Sequence, residues 1–484
     1  MTDLAFASAK RLAAMVRRRQ IGCLELLDAA LDRVARLDGA VNAVVVGDFD
    51  RARKRAKAMD RKGAMEKAGP APLYGVPMTV KESFDIAGLP TTWGVEAARG
   101  NVPATDALAV QRLNAAGAVI FGKTNVPVLL AEWQSVNPVY GRTNNPWNPD
   151  HTPGGSSGGS AAALAAGFSA LELGSDIGGS VRQPAHACGV FGHKPSWGLC
   201  SPLGHSLAGS VATTDISVIG PLARSADDLA IAFDLIAGPD PVETDFRPTL
   251  PKPRTSDLAE LRVAVWGEDK ATLTDPEIAA ALTALGGFLK KQGAKVSHSA
   301  RPAFDARDGF RLYLRLLAAA LGARFGEPAL AEVRARAAAR AADDESADAI
   351  MDRAMEPLHR DWLADNEQRM RIRRAWGAFF HEWDVLLCPV IGMPALPHIE
   401  DRPAWARRIT VAGHETGYND MLFWPGITCG FHLPASVAPL GLTKAGLPIG
   451  VQIVGPFYGD RTTLAVARLL ERHWRGFEPP PAFI

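Results

Sequence analysis

Cysteine is scarce: only Cys23, Cys188, Cys200, Cys388 and Cys429 occur in 484 residues, and no two stand in a C-x-x-C spacing. That excludes a disulfide framework and a cysteine zinc site, and it fits reduced thiols buried as small core residues in a cytoplasmic protein. Charge of either sign is not in excess. Lys+Arg 53 against Asp+Glu 52 leaves a net charge of +1, so neither a polyanion nor a membrane surface is indicated as the main partner. No apolar run reaches the ~18 residues of a membrane span. The N-terminal "MTDLAFASAKRLAAMVRRRQ" places its basic cluster after the apolar stretch and has no A-x-A site, so it is not a secretory signal. Internal repeats and low-complexity tails are also lacking. These absences lead to the expectation of a small-molecule ligand, no nucleic acid and no membrane. They leave the oligomeric state open, a homodimer being compatible with them.

What is present is a chain with 47% hydrophobic and 22% charged residues, enough to bury a large core. Leu12, Met15, Val16, Leu24, Leu27, Leu31, Val34 and Leu37 recur at three- and four-residue spacing, so the first sixty residues read as helix. After "KGAMEKAGPAP" short apolar runs alternate with Gly and Pro: "YGVPMTVKESF", "AVIFGKTN", "SALELGSDIGGS" and "CGVFGHKPS" read as strands, with "ALAVQRLNAAG" helical between them. "LRVAVWG" and "AKVSHS" flank a helix, and Arg311 to Phe380 is rich in Ala, Arg and Leu and reads as long helices. "DVLLCPVIG", "HLPASVAPLG" and "PIGVQIVGP" return to strand texture, and "TTLAVARLLERHW" is a closing helix. The expected fold is α/β: one large domain with a mixed, largely parallel twisted central sheet surrounded by helices. Its segments are an N-terminal helical part (1–62), a core (63–250), a variable, largely helical region (251–412) and a C-terminal part that completes the sheet (413–484).

The stretch "TPGGSSGGSAAALAAG", Thr152 to Gly167, is the first candidate for chemistry. A phosphate loop needs a lysine after its glycines, and none follows; the G-x-G-x-x-G register is absent as well. Gly154 to Gly158 does match G-x-S-x-G, but a nucleophile elbow must leave a buried strand, and "NNPWNPDHTP" cannot be one. A second loop, "GSDIGGSVRQP", follows the apolar "FSALEL" and sets Ser180 behind two glycines. Glycines let successive N–H groups point into one concave space, as an oxyanion hole requires. A nucleophilic serine there needs a base. His151 and His186 are candidates, although no carboxylate is placed in sequence to orient either. Lys81 in "VPMTVKESF", Lys123 in "FGKTN" and Lys194 in "GHKPS" all lie in apolar runs where burial would lower a lysine pKa. Burial alone does not choose among the three.

Taken in order, "VPMTVKESFD", "FGKTNVP", "TPGGSSGGSAAALAAG" and "LELGSDIGGSVRQPAHACGVFGHKPS" resemble the amidase signature family, most specifically across Leu73 to Ala230. The resemblance implies a triad of Ser180 as nucleophile, Ser156 after a cis peptide as relay, and Lys81 as base. It implies that the backbone N–H groups of Ile177, Gly178, Gly179 and Ser180 hold the oxyanion. It further suggests that Asp176 and Arg182 shape the loop, and that Leu130 and Trp133, with Ser157, meet the substrate. It implies no cofactor and no metal. On this reading the chain cleaves a small-molecule carboxylic amide, with esters and carbamates also open. The alternative is the amidase subunit of a tRNA-dependent amidotransferase, which shares the triad. That subunit carries a "TNMDEFAMGSS"-like segment where this chain has "TNVPVLLAEWQSVNP", and the apolar replacement favours a free-standing amidase.

Overall fold

The first N-terminal helix begins where its sequence supplies a cap. Ala9–Arg17 starts behind Ser8, whose hydroxyl accepts from the Arg11 N–H, and it buries Leu12, Ala13 and Val16. Cys23–Val41 buries Leu26, Leu27, Leu31 and Val34 on one face and stops at Asn42 in the left-handed region. The first sixty residues are not all helix, however. Val44–Gly47 forms a strand (β1) before the helix Phe49–Met59, because a run of three β-branched valines packs better on a pleated surface than around a helix. The computed structural model describes residues 4–69, 71–207, 210–240, 242, 244 and 249–484.

Two sheets carry the molecule. The smaller has β2 (Pro77–Lys81) parallel to β3 (Val119–Thr124), with β1 antiparallel on the other side of β3. The larger has eight strands: β4 (Leu171–Asp176), β5 (Phe191–Lys194), β6 (Val218–Ala223), β7 (Arg262–Val265), β8 (Lys295–Ser297), β9 (Val385–Pro389), β10 (Ala435–Leu442) and β11 (Pro448–Val454), in the spatial order β8-β7-β9-β11-β10-β5-β6-β4. The sheet is mixed as expected, but it is not largely parallel. Only β8/β7 and β7/β9 pair parallel, while the five pairings from β9 to β4 are antiparallel. The reason is an insertion. β4, the helix Arg182–Cys188 and β5 make a crossover between parallel strands, but β6 enters between the two and pairs antiparallel with both.

Residues 251–412 supply β7, β8 and β9 to this sheet besides the helices Ala306–Gly322, Glu327–Ala339, Ala347–Ala354 and His359–Glu382. They also begin a hairpin, Arg408–Val411 against His414–Gly417, that turns at Ala412 and Gly413, both with positive φ. One large apolar cluster lies beneath the N-terminal helices and the sheet. A second gathers Trp133, Tyr313, Leu422 and Trp424 over the loop that leaves β4. Among the described residues no helix is long and apolar enough to cross a membrane. All five cysteines are free and buried.

Candidate functional site

Lys81 ends β2, a strand whose five residues are all buried, and β2 packs against β4 of the larger sheet. From there its Nζ donates to Ser156 Oγ at 2.7 Å and to Ser175 Oγ at 2.9 Å. The two competing lysines point elsewhere: Lys123 donates to the Pro90 carbonyl and Thr91 Oγ1, and Lys194 to the Pro195 carbonyl. Of the three lysines, Lys81 is the one whose amine meets a serine of the glycine-serine loops. Complete burial drives the Lys81 ammonium well below the ordinary lysine range; the Asp176 charge opposes that shift and the Arg324 charge adds to it. Burial takes Lys123 down to about 8.

Ser156 follows a cis peptide from Gly155. The loop threads so closely past its neighbours that a Cβ on Gly155 would strike the Glu132 carbonyl, and one on Gly159 the Asn125 backbone. The Gly155 N–H is fixed by Gln183 Oε1 at 2.9 Å, and the Ser157 N–H donates to the Ser180 carbonyl at 3.1 Å, which ties the two glycine-serine loops together. Among the described residues no hydrogen bond joins the Ser180 hydroxyl to Ser156. Ser157, expected to meet substrate, is fully buried with its hydroxyl against the Ser175 backbone. It therefore braces the loop against β4.

β4 serves both sides of the site because successive side chains on a strand face opposite ways. Ser175 faces Lys81, and the next residue, Asp176, pairs with Arg182 at 2.8 Å with both side chains wholly buried. Burial alone would raise the Asp176 carboxyl, but the adjoining Arg182 guanidinium reverses this and holds it well below the usual carboxylate range. The carboxylate also accepts from the N–H groups of Gly179 (2.8 Å), Val181 (3.1 Å) and Arg182 (3.3 Å). This corrects the expected oxyanion donors: Gly179 is committed to Asp176. Ile177, Gly178 and Ser180 keep N–H groups with no acceptor among the described residues. Tyr313 donates to the Ile177 carbonyl at 3.2 Å and closes over this loop with Leu422.

His186 is accounted for structurally. Its Nδ1 accepts from the Gly450 N–H at 2.9 Å while its Nε2 lies 3.0 Å from the Met393 carbonyl, and burial takes its pKa down to about 4. His151 bonds through its backbone to Asn145 and Asn148, and among the described residues its side chain makes no hydrogen bond to Ser156 or Ser180. Leu130 packs with Trp93 and Val126, whereas Trp133 joins Tyr313 and Leu422 in the second cluster. Two residues escaped sequence reasoning. Ser175 is one; its position immediately before Asp176 on an apolar strand was the available signal. Glu132 is the other: it binds the Trp133 N–H, the Tyr418 hydroxyl and Arg407, anchoring the segment that carries Leu130 and Trp133. Among the described residues no group of three or more His, Cys, Asp or Glu could hold a metal ion.

A family model described as Amidase matches residues 25–464. The chain is 34% identical over 493 residues to a component of the glutamyl-tRNA(Gln) amidotransferase of Roseiflexus castenholzii, covering 98% of this chain and 96% of that protein. Among solved structures it resembles a 6-aminohexanoate cyclic dimer hydrolase complexed with substrate (TM-score 0.80, 27% identity, 100% of both chains). It also resembles a component of a vestigial complex bearing on the origin of an s-triazine catabolic enzyme (TM-score 0.81, 29% identity, 97% of this chain and 99% of that one). The first similarity corrects the expectation that nucleic acid has no part. A relative alike along nearly the whole chain belongs to an enzyme named for a tRNA, and the balanced charge of one chain does not report on what a complex handles.

Proposed function

The chain belongs to the amidase family, and on that premise we propose that it hydrolyses carbon–nitrogen amide bonds through an acyl-enzyme on Ser180. The observation that carries the proposal is the buried Lys81 amine, 2.7 Å from Ser156 Oγ and lowered in pKa by burial. A neutral amine is a proton acceptor. Lys81 takes the proton of Ser156 as Ser156 takes that of Ser180, whose oxygen bonds to the substrate carbonyl carbon. The carbonyl oxygen, now carrying the charge, meets the N–H groups of Ile177, Gly178 and Ser180. When the tetrahedral species collapses, the C–N bond breaks and the proton returns along the relay to the leaving nitrogen. Water then attacks the acyl-enzyme by the same relay, releasing the carboxylic acid and restoring Ser180.

Two finer readings share this chemistry. The amidase component of a tRNA-dependent amidotransferase, which hydrolyses glutamine and passes on ammonia, has the stronger support, namely 34% identity along 98% of the chain. A free-standing amidase is favoured by one local feature, the apolar Val126–Trp133 segment, in which Leu130 and Trp133 are buried.

The test is a hydrolysis panel of glutamine, aryl and aliphatic amides, esters and carbamates with the purified chain, alongside intact-mass analysis after treatment with a serine-directed phosphonate. One adduct on Ser180 is expected. An adduct on Ser156 or Ser157 overturns the assignment of the nucleophile. Efficient turnover of simple amides by the isolated chain, with none of glutamine, selects the free-standing amidase.

A further inference from the structure

Beside the site lies a cavity of about 480 Å³ whose walls include Trp93, His205, Thr214, Asp215, Ala323 and Arg324, a size suited to a small ligand. Its walls are tied by hydrogen bonds to the chain neighbours of Lys81 and Leu130. The Trp93 N–H donates to Glu82, the residue after Lys81, and the Trp93 carbonyl accepts from Leu129, next to Leu130. His205 lies 3.0 Å from the Ser83 hydroxyl, and the Arg324 charge acts on Lys81 itself.

Among the described residues the charges in this cavity do not balance. Asp215 is engaged by Arg369 at 2.7 Å and by His432 at 3.2 Å. His205 is held neutral, burial first and then the Lys81 and Arg324 charges keeping its pKa well below the usual value. Arg324, just past the end of the helix Ala306–Gly322, has no carboxylate partner among the described residues: its Nη2 meets only Thr214 Oγ1 at 3.3 Å, and its guanidinium stands 5.6 Å over the Trp93 ring. The buried Trp93 Nε1 has no acceptor among the described residues. A largely buried cation without a counter-ion and a buried N–H without an acceptor stand on the same wall, and both conditions call for an acceptor that arrives with the ligand.

Resting on the amide-hydrolysis reading, we infer that the substrate carries a carboxylate remote from its scissile amide, and that Arg324 and Trp93 Nε1 bind that carboxylate in this cavity. Arg324 presents a planar fork matched to a carboxylate, and the aromatic ring beneath holds the fork in plane. The preference is thus for ω-amides of carboxylic acids over amides ending in a hydrocarbon.

The experiment compares unbranched primary amides of graded length that end in a carboxylate with the matched series that ends in a methyl group. The ratio of kcat/KM between the two series is expected to favour the carboxylate strongly and to fall about 30-fold in Arg324→Gln, chiefly through KM, with Arg324→Lys retaining an intermediate ratio. Trp93→Phe keeps the ring, removes the N–H and lowers the ratio several-fold. An unchanged ratio in Arg324→Gln overturns the inference while leaving amide hydrolysis standing. Absence of turnover in both series counts against the proposed function instead. Calorimetric binding of the carboxylate-ended amides to Ser180→Ala, with and without Arg324→Gln, then decides the inference without turnover: about 30-fold weaker binding in the double variant supports it, and equal binding overturns it.

Discussion

Lys81 Nζ and Ser175 Oγ, 94 positions apart in the chain, lie 2.9 Å from each other in a fully buried setting. The amine is thus held between two hydroxyls, Ser175 and Ser156; in its neutral form an N–H donated to Ser175 leaves the lone pair free to face the Ser156 hydroxyl. Ser175→Ala removes one of the two. We expect kcat to fall about tenfold with KM little changed, since the loss is of positioning and not of binding, and stability to fall by about 1 kcal/mol. Steady-state kinetics with urea unfolding check both.

The direction of the Lys81 shift fixes the pH dependence. A lysine whose ammonium form is disfavoured by burial loses its proton below the ordinary value of about 10.4. Activity should therefore rise with pH as the neutral amine accumulates and level off once it predominates. Lys81→Arg should be as inactive as Lys81→Ala, because guanidinium does not give up its proton. His186→Ala serves as the contrast: it can lower stability but should leave the rising limb where it is. A near-normal rate in Lys81→Arg would remove Lys81 from the relay.

Asp176→Asn leaves Arg182 charged, buried and without its counter-ion, which should destabilise the fold by about 3 to 5 kcal/mol. In the wild type the folded Asp176 carboxyl is held below its unfolded value of about 3.9. Its contribution to stability is therefore complete above that pH and is lost progressively as pH falls toward the folded value. Thermal unfolding from pH 7 to pH 3 should show the wild type losing stability on the acid side more steeply than Asp176→Asn.

Trp133 is buried beside Tyr313 and Leu422, the two residues that close over the Ser180 loop. Shape discrimination in such a place is worth about 1 to 3 kcal/mol per misfit methylene. Trp133→Ala should raise relative kcat/KM for bulky acyl groups over small ones. An equal change for both sizes would identify Trp133 as core.

The parts of the site legible in the sequence were those written locally. The two glycine-serine loops announce themselves because only glycine fits where Gly155 passes Glu132 and Gly159 passes Asn125, and because Gly179 takes a positive φ, and Lys81 stands at the end of an apolar strand. Four things were not legible. The direction of β4 and β5 relative to their neighbour depends on β6, which arrives later in the chain and slots between them. Ser175 acquires its partner only when the two sheets pack. Gly179 looked like a free donor because nothing in "GSDIGGS" reveals that the aspartate folds back on it at 2.8 Å. Arg324 lay hidden in a block where arginine is abundant, and its want of a carboxylate is a property of three-dimensional neighbours alone.

The anchoring of Arg182 sets when the molecule becomes competent during its synthesis. A nascent chain that has passed residue 200 already contains Lys81, Ser156, Ser175, Ser180 and the Asp176–Arg182 pair. The guanidinium is nevertheless completed by the Pro425 carbonyl, the Thr428 hydroxyl and Gln452, and β5 gains its second neighbour only with β10. Until those C-terminal residues leave the ribosome, the loop bearing Ser180 lacks the partners that fix its shape. On the proposed mechanism the nucleophile is made early and armed last, so a prematurely terminated chain is expected to be silent although it carries Lys81, Ser156 and Ser180.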